Sequence, residues 1–251
     1  MPDLEFGIEG AEVARFAAVP SLLFKLRIEN LEDEPIRSVA LNTQIRIAAA
    51  GRHYEVAEQE RLLELFGEPS RWKDTLRSLL WTHTVLQVPR FSGSTVVDMP
   101  VTCTYDLEVV AAKYFYALED GEVPLEFLFS GTVFYAAEGG WLQTARISWE
   151  KEAEYRLPVS LWKEMMEQYF PNSAWIRLHR DAFDRLYDFK VRKGLPTWEA
   201  TVEALLLTSD GDLAAKLTHP RHGIAREDLE RRHDAVARRQ PPQCASFCAT
   251  A

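Results

Sequence analysis

Alternation with a period of two residues runs through the first half of the chain. Leu4, Phe6 and Ile8 alternate, then Leu22, Phe24, Leu26 and Ile28, and then Val39, Leu41, Ile45 and Ile47 share one parity with Thr43 between them. That spacing places every second side chain on one face of a strand. The pattern predicts a meander of three antiparallel strands within the first 50 residues, resembling half of an immunoglobulin-like sandwich. Residues 29–35, polar, acidic and ended by Pro35, form the connection between the second and third strands.

The period then changes. Between Tyr54 and Phe66 the apolar residues Leu62, Leu63, Leu65 and Phe66 cluster among Glu and Arg, and Gly67 with Pro69 supplies a stop, which predicts a helix. A short helical turn is expected around Trp72 to Leu80. Strands return at 82–88 and 94–103, where Thr95, Val97, Met99, Val101 and Cys103 share one parity; residues 89–93 are long enough to join the two as a hairpin. Residues 105–118 fit two readings. Leu107, Val110, Ala111, Tyr114 and Leu118 make a helical face, while Val109, Val110, Tyr114, Phe115 and Tyr116 suit a strand; the helix is preferred. A long strand follows from Leu125 to Tyr135, with Gly131 marking a bulge or a close backbone approach. Gly139 and Gly140 then turn the chain into a partner strand from Trp141 to about Trp149 or beyond.

After Pro158 the apolar spacing is helical. Leu161, Trp162, Met165 and Tyr169 share one face; Phe183, Leu186 and Tyr187 share another; Trp198, Val202, Leu205 and Leu206 share a third, behind the N-cap candidate Thr197. Past Leu207 the pattern degrades, with 7 Lys or Arg against 6 Asp or Glu and few large apolar residues. A short helix is expected there near Asp228 to Arg239. The fold class that follows is α+β: an antiparallel β-sandwich-like sheet with helices packed on one side and a C-terminal helical segment. Residues 1–157 form the sandwich-like region with inserted helices, residues 158–207 the helical segment packed on it, and residues 208–251 a largely disordered tail.

Composition narrows the class of function. A chain of 251 residues, 47% hydrophobic and 27% charged, can bury a full core without metals or disulfides. No apolar run approaches the roughly 20 residues that cross a bilayer, and the start lacks a signal peptide's basic and apolar regions, so a soluble cytoplasmic protein is expected. Three cysteines make no disulfide framework. The net charge of -9 argues against broad nucleic-acid or anionic-membrane binding.

Several motifs invite a chemical reading that their context withdraws. His179-Arg180-Asp181 copies the letters of a kinase catalytic loop and Asp188-Phe189 part of its metal-binding triplet. However, Lys190 stands in place of the glycine, Leu186 in place of the expected Asn, and no glycine-rich phosphate loop precedes them. Ser92-Gly93-Ser94 lacks the nucleophile-elbow pattern and reads as a polar turn, and His83 lies in a strand between two threonines. Cys103 ends a strand, where side chains often line a cleft, yet a cysteine without an evident base is ordinarily a small buried hydrophobe. His219, His222, His233, Cys244 and Cys248 collect soft metal ligands in the tail, for which Zn²⁺ or Ni²⁺ would be candidates, but over a long stretch without fixed geometry. Trp162, Trp175 and Trp198 in the helical half serve either as core residues or as a docking cluster.

The strings Leu62-Leu63-Glu64-Leu65-Phe66-Gly67, Thr102-Cys103-Thr104-Tyr105-Asp106, Phe129-Ser130-Gly131-Thr132-Val133-Phe134 and Tyr169-Phe170-Pro171-Asn172-Ser173 resemble a bacterial family of unknown function. The likeness spans about residues 4–207. It implies an association with nickel-iron hydrogenase gene clusters, and with it a hydrogenase subunit or maturation protein as partner; it implies no catalytic residue and no cofactor. Two functions are therefore expected. The first is a non-catalytic binding or assembly protein, an accessory factor for a nickel-iron hydrogenase. The alternative is a thiol-dependent enzyme or metal carrier using Cys103 or the tail His and Cys residues.

Overall fold

The computed structural model describes residues 2–217, apart from Asp33, Glu108, residues 137–139 and residues 174–175, with side chains described as far as Thr208. The chain divides into two compact units, residues 1–177 and 178–251.

The first unit is a sandwich of two antiparallel sheets. Strands β1 (Leu4–Val13), β2 (Ser21–Asn30) and β5 (Ser94–Thr102) form one sheet in the order β1-β2-β5. The other contains β4 (Leu79–Val88), β3 (Ile36–Ile47), β6 (Glu122–Ala136) and β7 (Leu142–Arg146) in the order β4-β3-β6-β7, with β8 (Glu152–Pro158) also paired to β6. The inward residues of β2 are Leu22, Phe24, Leu26 and Ile28, and those of β3 are Ile36, Val39, Leu41, Ile45 and Ile47; all are buried. They meet across the sandwich core. Phe24 of β2 stands edge-on to Phe127 of β6 at 5.2 Å, and Phe6 of β1 stacks on Phe129 at 4.3 Å.

The α+β class holds, and two of its expected connections do not. β2 and β3 are not hairpin neighbours, because the 29–35 connection carries the chain from one sheet to the other. β4 and β5 likewise separate, β4 pairing with β3 and β5 with β2. Alternation reports which parity of a strand is apolar and is silent on its partner. Two strands with apolar faces can bury them by facing each other across a sandwich, without pairing edge to edge.

The region expected as one strand from Trp141 to Trp149 ends at Arg146, and a separate β8 then returns along the other end of β6. Fifteen residues make β6 long enough to hold both partners. Gly131 is a close-approach site: at φ +143° an added Cβ would lie 2.1 Å from the Ala40 carbonyl oxygen of β3.

Except for the last, which follows β8, the helices of this unit are inserted between strands. The predicted 54–66 helix is broken at Leu62 into α1 (Val56–Arg61) and α2 (Leu63–Phe66). The next turn, α3 (Trp72–Thr75), is shorter than expected, since β4 starts at Leu79. The ambiguous region becomes α4 (Val110–Ala117), with Ala111, Ala112, Tyr114, Phe115 and Ala117 buried. α5 (Val159–Tyr169) lays Trp162, Met165 and Met166 into the core and is tied to the β1–β2 connection by Tyr169, whose hydroxyl donates to the Ala17 carbonyl at 2.7 Å.

The second unit contains α6 (Arg180–Lys193) and α7 (Trp198–Leu217). Gly194 ends α6 in the left-handed conformation at φ +64°. Thr197 caps α7, its Oγ1 accepting from Ala200 N at 3.1 Å. Phe183 and Tyr187 of α6 pack on Trp198 at 5.3 and 6.2 Å, and Lys190 donates to the carbonyls of Leu195 and Pro196. Helix α7 continues past the last patterned apolar residues to Leu217. The remainder of the predicted tail lies outside the described residues.

Candidate functional site

A groove of about 690 Å³ runs along α4 and α5. Its floor is Trp162 and Met166, both buried, and its walls are Tyr105, Tyr116 and Phe170. Each ring is placed by a different local device. Tyr105 lies just beyond the end of β5, in a turn closed by Asp106 N donating to Thr104 Oγ1 at 3.1 Å. Tyr116 is on the outer face of α4, 47% exposed. Phe170 follows the last turn of α5, its amide bonded to the Met166 carbonyl at 2.8 Å. The aromatic surface is continuous: Tyr105 stacks on Phe170 at 5.5 Å, meets Trp162 at 6.0 Å and Tyr116 at 6.1 Å, and Trp162 in turn stacks on Phe115 beneath at 5.4 Å.

The rim carries Arg61, Lys163, Glu164 and Glu167. The two cations are already engaged by Glu119. Arg61 forms an ion pair with its carboxylate at 2.9 Å, and Lys163 donates to its carbonyl at 2.7 Å. Glu167 accepts from Asn172 N at 3.2 Å, whereas Glu164 has no hydrogen-bond or ion-pair partner among the described residues. Burial raises the Tyr105 phenol above its ordinary range, with Tyr116 and Glu167 adding to the effect. Near neutral pH that hydroxyl is a hydrogen-bond donor rather than a base. The groove can hold an apolar or aromatic group against ring faces and place a basic group at Glu164.

A buried polar network underlies α1 and α4. Glu58, 2% exposed, accepts from Arg52 Nη2 at 2.9 and 3.0 Å and from the backbone amides of Glu55 and Glu119 at 3.1 and 2.9 Å. The Arg52 guanidinium also lies over the Tyr54 ring at 5.0 Å, with Nη1 buried and unpartnered. This network ties the start of α1 to the chain after α4.

Of the residues singled out in the sequence for chemistry or docking, Trp162 lies in this groove and no other described one does. Cys103 is buried at 5% exposure, its thiol directed to the Val101 carbonyl at 3.5 Å; burial pushes it up to about 12. A thiol so held stays protonated near neutral pH and is a poor nucleophile. Cys103 borders a separate small cavity of about 160 Å³ with Trp81, Phe115 and Trp162. His179 is the N-cap residue of α6, Asp181 lies in its first turn, and His83 points outward from β4. Gly93, at φ +68°, makes the turn between β4 and β5. Trp162 belongs to the core and Trp198 is partly exposed. Trp175, His219, His222, His233, Cys244 and Cys248 lie outside the described residues.

Of the groove residues, Trp162 was visible as part of the α5 apolar face. Tyr105 and Phe170 stand at element ends, where periodicity carries no signal. Arg61, Lys163, Glu164 and Glu167 read as ordinary solvated helix positions.

Fold and groove define an antiparallel β-sandwich protein with inserted helices and an aromatic-lined groove. The chain belongs to DUF6084, a family of unknown function whose sequence model matches residues 1–213. No curated protein matches it. Among solved structures it is similar to the CARDB domain of a Pyrococcus furiosus protein in complex with di-metal ions, at 11% identity over 62% of this chain and 92% of that one, with a TM-score of 0.25. It is also similar to β-glucosidase 3B from Thermotoga neapolitana in complex with glucose, at 12% identity over 62% of this chain and 17% of that one, with a TM-score of 0.22. Likenesses of this size carry no argument about function. No helix among the described residues is long and apolar enough to cross a membrane.

Proposed function

We propose that the protein is a non-catalytic binding or assembly protein, an accessory factor that holds a nickel-iron hydrogenase subunit or maturation protein. The observation that carries the binding role is the groove of Tyr105, Tyr116, Trp162 and Phe170 on α4 and α5. Aromatic side chains supply large contact area at small cost in conformational freedom and are enriched at the energetic centres of interfaces. The partner segment that fits is an apolar or aromatic anchor flanked by a basic residue, because the rim cations are bound to Glu119 while Glu164 remains available. The hydrogenase system as the source of that segment rests on the family resemblance.

The test is affinity purification of the tagged chain from its native host, followed by mass spectrometry. The intact chain is compared with the Tyr116→Ala/Phe170→Ala variant and with a chain lacking residues 208–251. Hydrogenase subunits or maturation proteins are expected with the intact chain and are expected to be lost with the groove variant. Recovery of the chain alone from well-expressing cells, or undiminished recovery with a folded groove variant, overturns the reading. The truncation reports whether the tail contributes.

A further inference from the structure

A second feature lies where β3 begins and β4 ends. Ile36 and Phe91 form an antiparallel bridge, exchanging hydrogen bonds of 3.0 and 3.1 Å. The β3–β4 ladder resumes with Val39 opposite Val88 in the same register. Arg37 and Arg90, both exposed, are the residues next to that bridge on its two sides.

Like charges held close together on neighbouring segments repel. Neither guanidinium has a hydrogen-bond or ion-pair partner among the described residues. The chain nevertheless has 38 Asp and Glu against 29 Lys and Arg, so carboxylates are not scarce. Both arginines line a depression of about 350 Å³, together with Phe91, Ser92, Pro35 and Ile36.

The geometry points to this depression as a binding site for a phosphoryl dianion, either free phosphate or the head of a small phosphate monoester. Two guanidinium groups lining one depression present N–H donors and two positive charges, which one doubly charged oxyanion satisfies and neutralises. The Ser92 hydroxyl adds a donor. The half-buried Phe91 ring gives an apolar wall beside the anion, and the volume exceeds what a bare phosphate fills. Binding converts the repulsion between Arg37 and Arg90 into a shared attraction. This site is independent of the α4–α5 groove.

The test is calorimetric titration of the full chain with phenyl phosphate and with inorganic phosphate at low ionic strength, paired with thermal unfolding. The expected result is one saturable site for phenyl phosphate, weakened about tenfold or more in either Arg37→Gln or Arg90→Gln by loss of a charge-assisted contact. Tighter binding of phenyl phosphate than of phosphate supports a monoester ligand; equal binding supports the site with free phosphate as its ligand. Without phosphate, Arg37→Gln is expected to raise Tm by removing the repulsion, and added phosphate is expected to raise the Tm of the parent alone. Absence of saturable binding of either compound at about 10 mM overturns the proposal. So does undiminished binding by the Arg37→Gln/Arg90→Gln double variant, or a fall in Tm on the single substitution.

Discussion

The phenolic oxygens of Tyr54 and Tyr114 lie 2.7 Å apart in the core, and the Tyr54 hydroxyl donates onward to the Ala49 carbonyl at 2.6 Å. The chain of bonds has a direction: Tyr114 donates to Tyr54, and Tyr54 to the backbone that precedes α1. Tyr114→Phe removes one donor and leaves Tyr54 bonded, a loss of about 1 kcal/mol. Tyr54→Phe strands both the Tyr114 hydroxyl and the Ala49 carbonyl, for about 2–6 kcal/mol at roughly 1–3 per buried unsatisfied group. Urea unfolding of the two variants checks the order, and equal losses would contradict the assigned direction.

The same pair gives the fold an alkaline limit. Burial pushes the Tyr54 phenol up to about 12 and raises Tyr114 still further, so the folded state keeps protons that unfolded phenols release near pH 10. Where the unfolded state binds fewer protons, stability falls as pH rises. The contribution from Tyr54 is fully present below pH 10 and is lost as the pH climbs through about 12. Unfolding free energy measured from pH 9 to 12 is expected to fall more steeply for the parent than for Tyr54→Phe/Tyr114→Phe.

Buried charge sets a different dependence. Glu58 and Arg52 have side chains 2% and 9% exposed. Glu58→Leu leaves a guanidinium without its counter-ion and two amides without their acceptor, so a loss of about 3–5 kcal/mol is expected. Adding Arg52→Met to that variant should restore part of the loss, because an apolar pair no longer buries an uncompensated charge. A double-mutant cycle in urea tests this, and a double variant weaker than Glu58→Leu would show that the pair is not the reason for the loss.

How much of this was legible in sequence depends on what kind of information the residues carry. Leu22, Phe24, Leu26 and Ile28 announced β2 and its buried face, because parity is a local property. That β2 pairs with β5, some 70 residues on, is a long-range fact, decided by how two apolar faces meet across the core. Helix α4 was legible to the extent that the helical spacing of Leu107, Val110, Ala111, Tyr114 and Leu118 outweighed the strand preference of Val109, Phe115 and Tyr116. The groove was largely hidden: Tyr105 and Phe170 sit outside regular elements and meet through the fold alone. Cys103 attracted interest as a residue at a strand end, and its packing shows the bland alternative, a small buried hydrophobe.

Gly131 is the position where one added methyl is expected to cost most. The Cβ of alanine would stand 2.1 Å from the Ala40 carbonyl oxygen, and at φ +143° the backbone itself disfavours a side chain. The contact is with backbone in the central β3–β6 pair, so no side chain can swing away to relieve it. Gly131→Ala is expected to destabilise by about 3 kcal/mol or more, enough to leave much of the chain insoluble. Soluble expression with an unchanged urea midpoint would require β3 and β6 to separate there without penalty.

Cys103 offers a chemical check on the core. With its thiol pushed up to about 12 by burial, the group should be neither ionised nor reachable at pH 8. In a chain carrying Cys244→Ser and Cys248→Ser, a disulfide reagent should titrate no thiol in native buffer and one thiol once urea unfolds the sandwich. The rate of slow native labelling should then follow the opening of the core, rising as the pH or denaturant lowers stability. Prompt stoichiometric labelling of the native chain would place an ionised, accessible thiol at this strand end and reopen the reading of Cys103 as a nucleophile. Cys103→Ala should leave partner recovery through the groove unchanged, because the thiol is directed to the Val101 carbonyl and Cys103 does not line the groove.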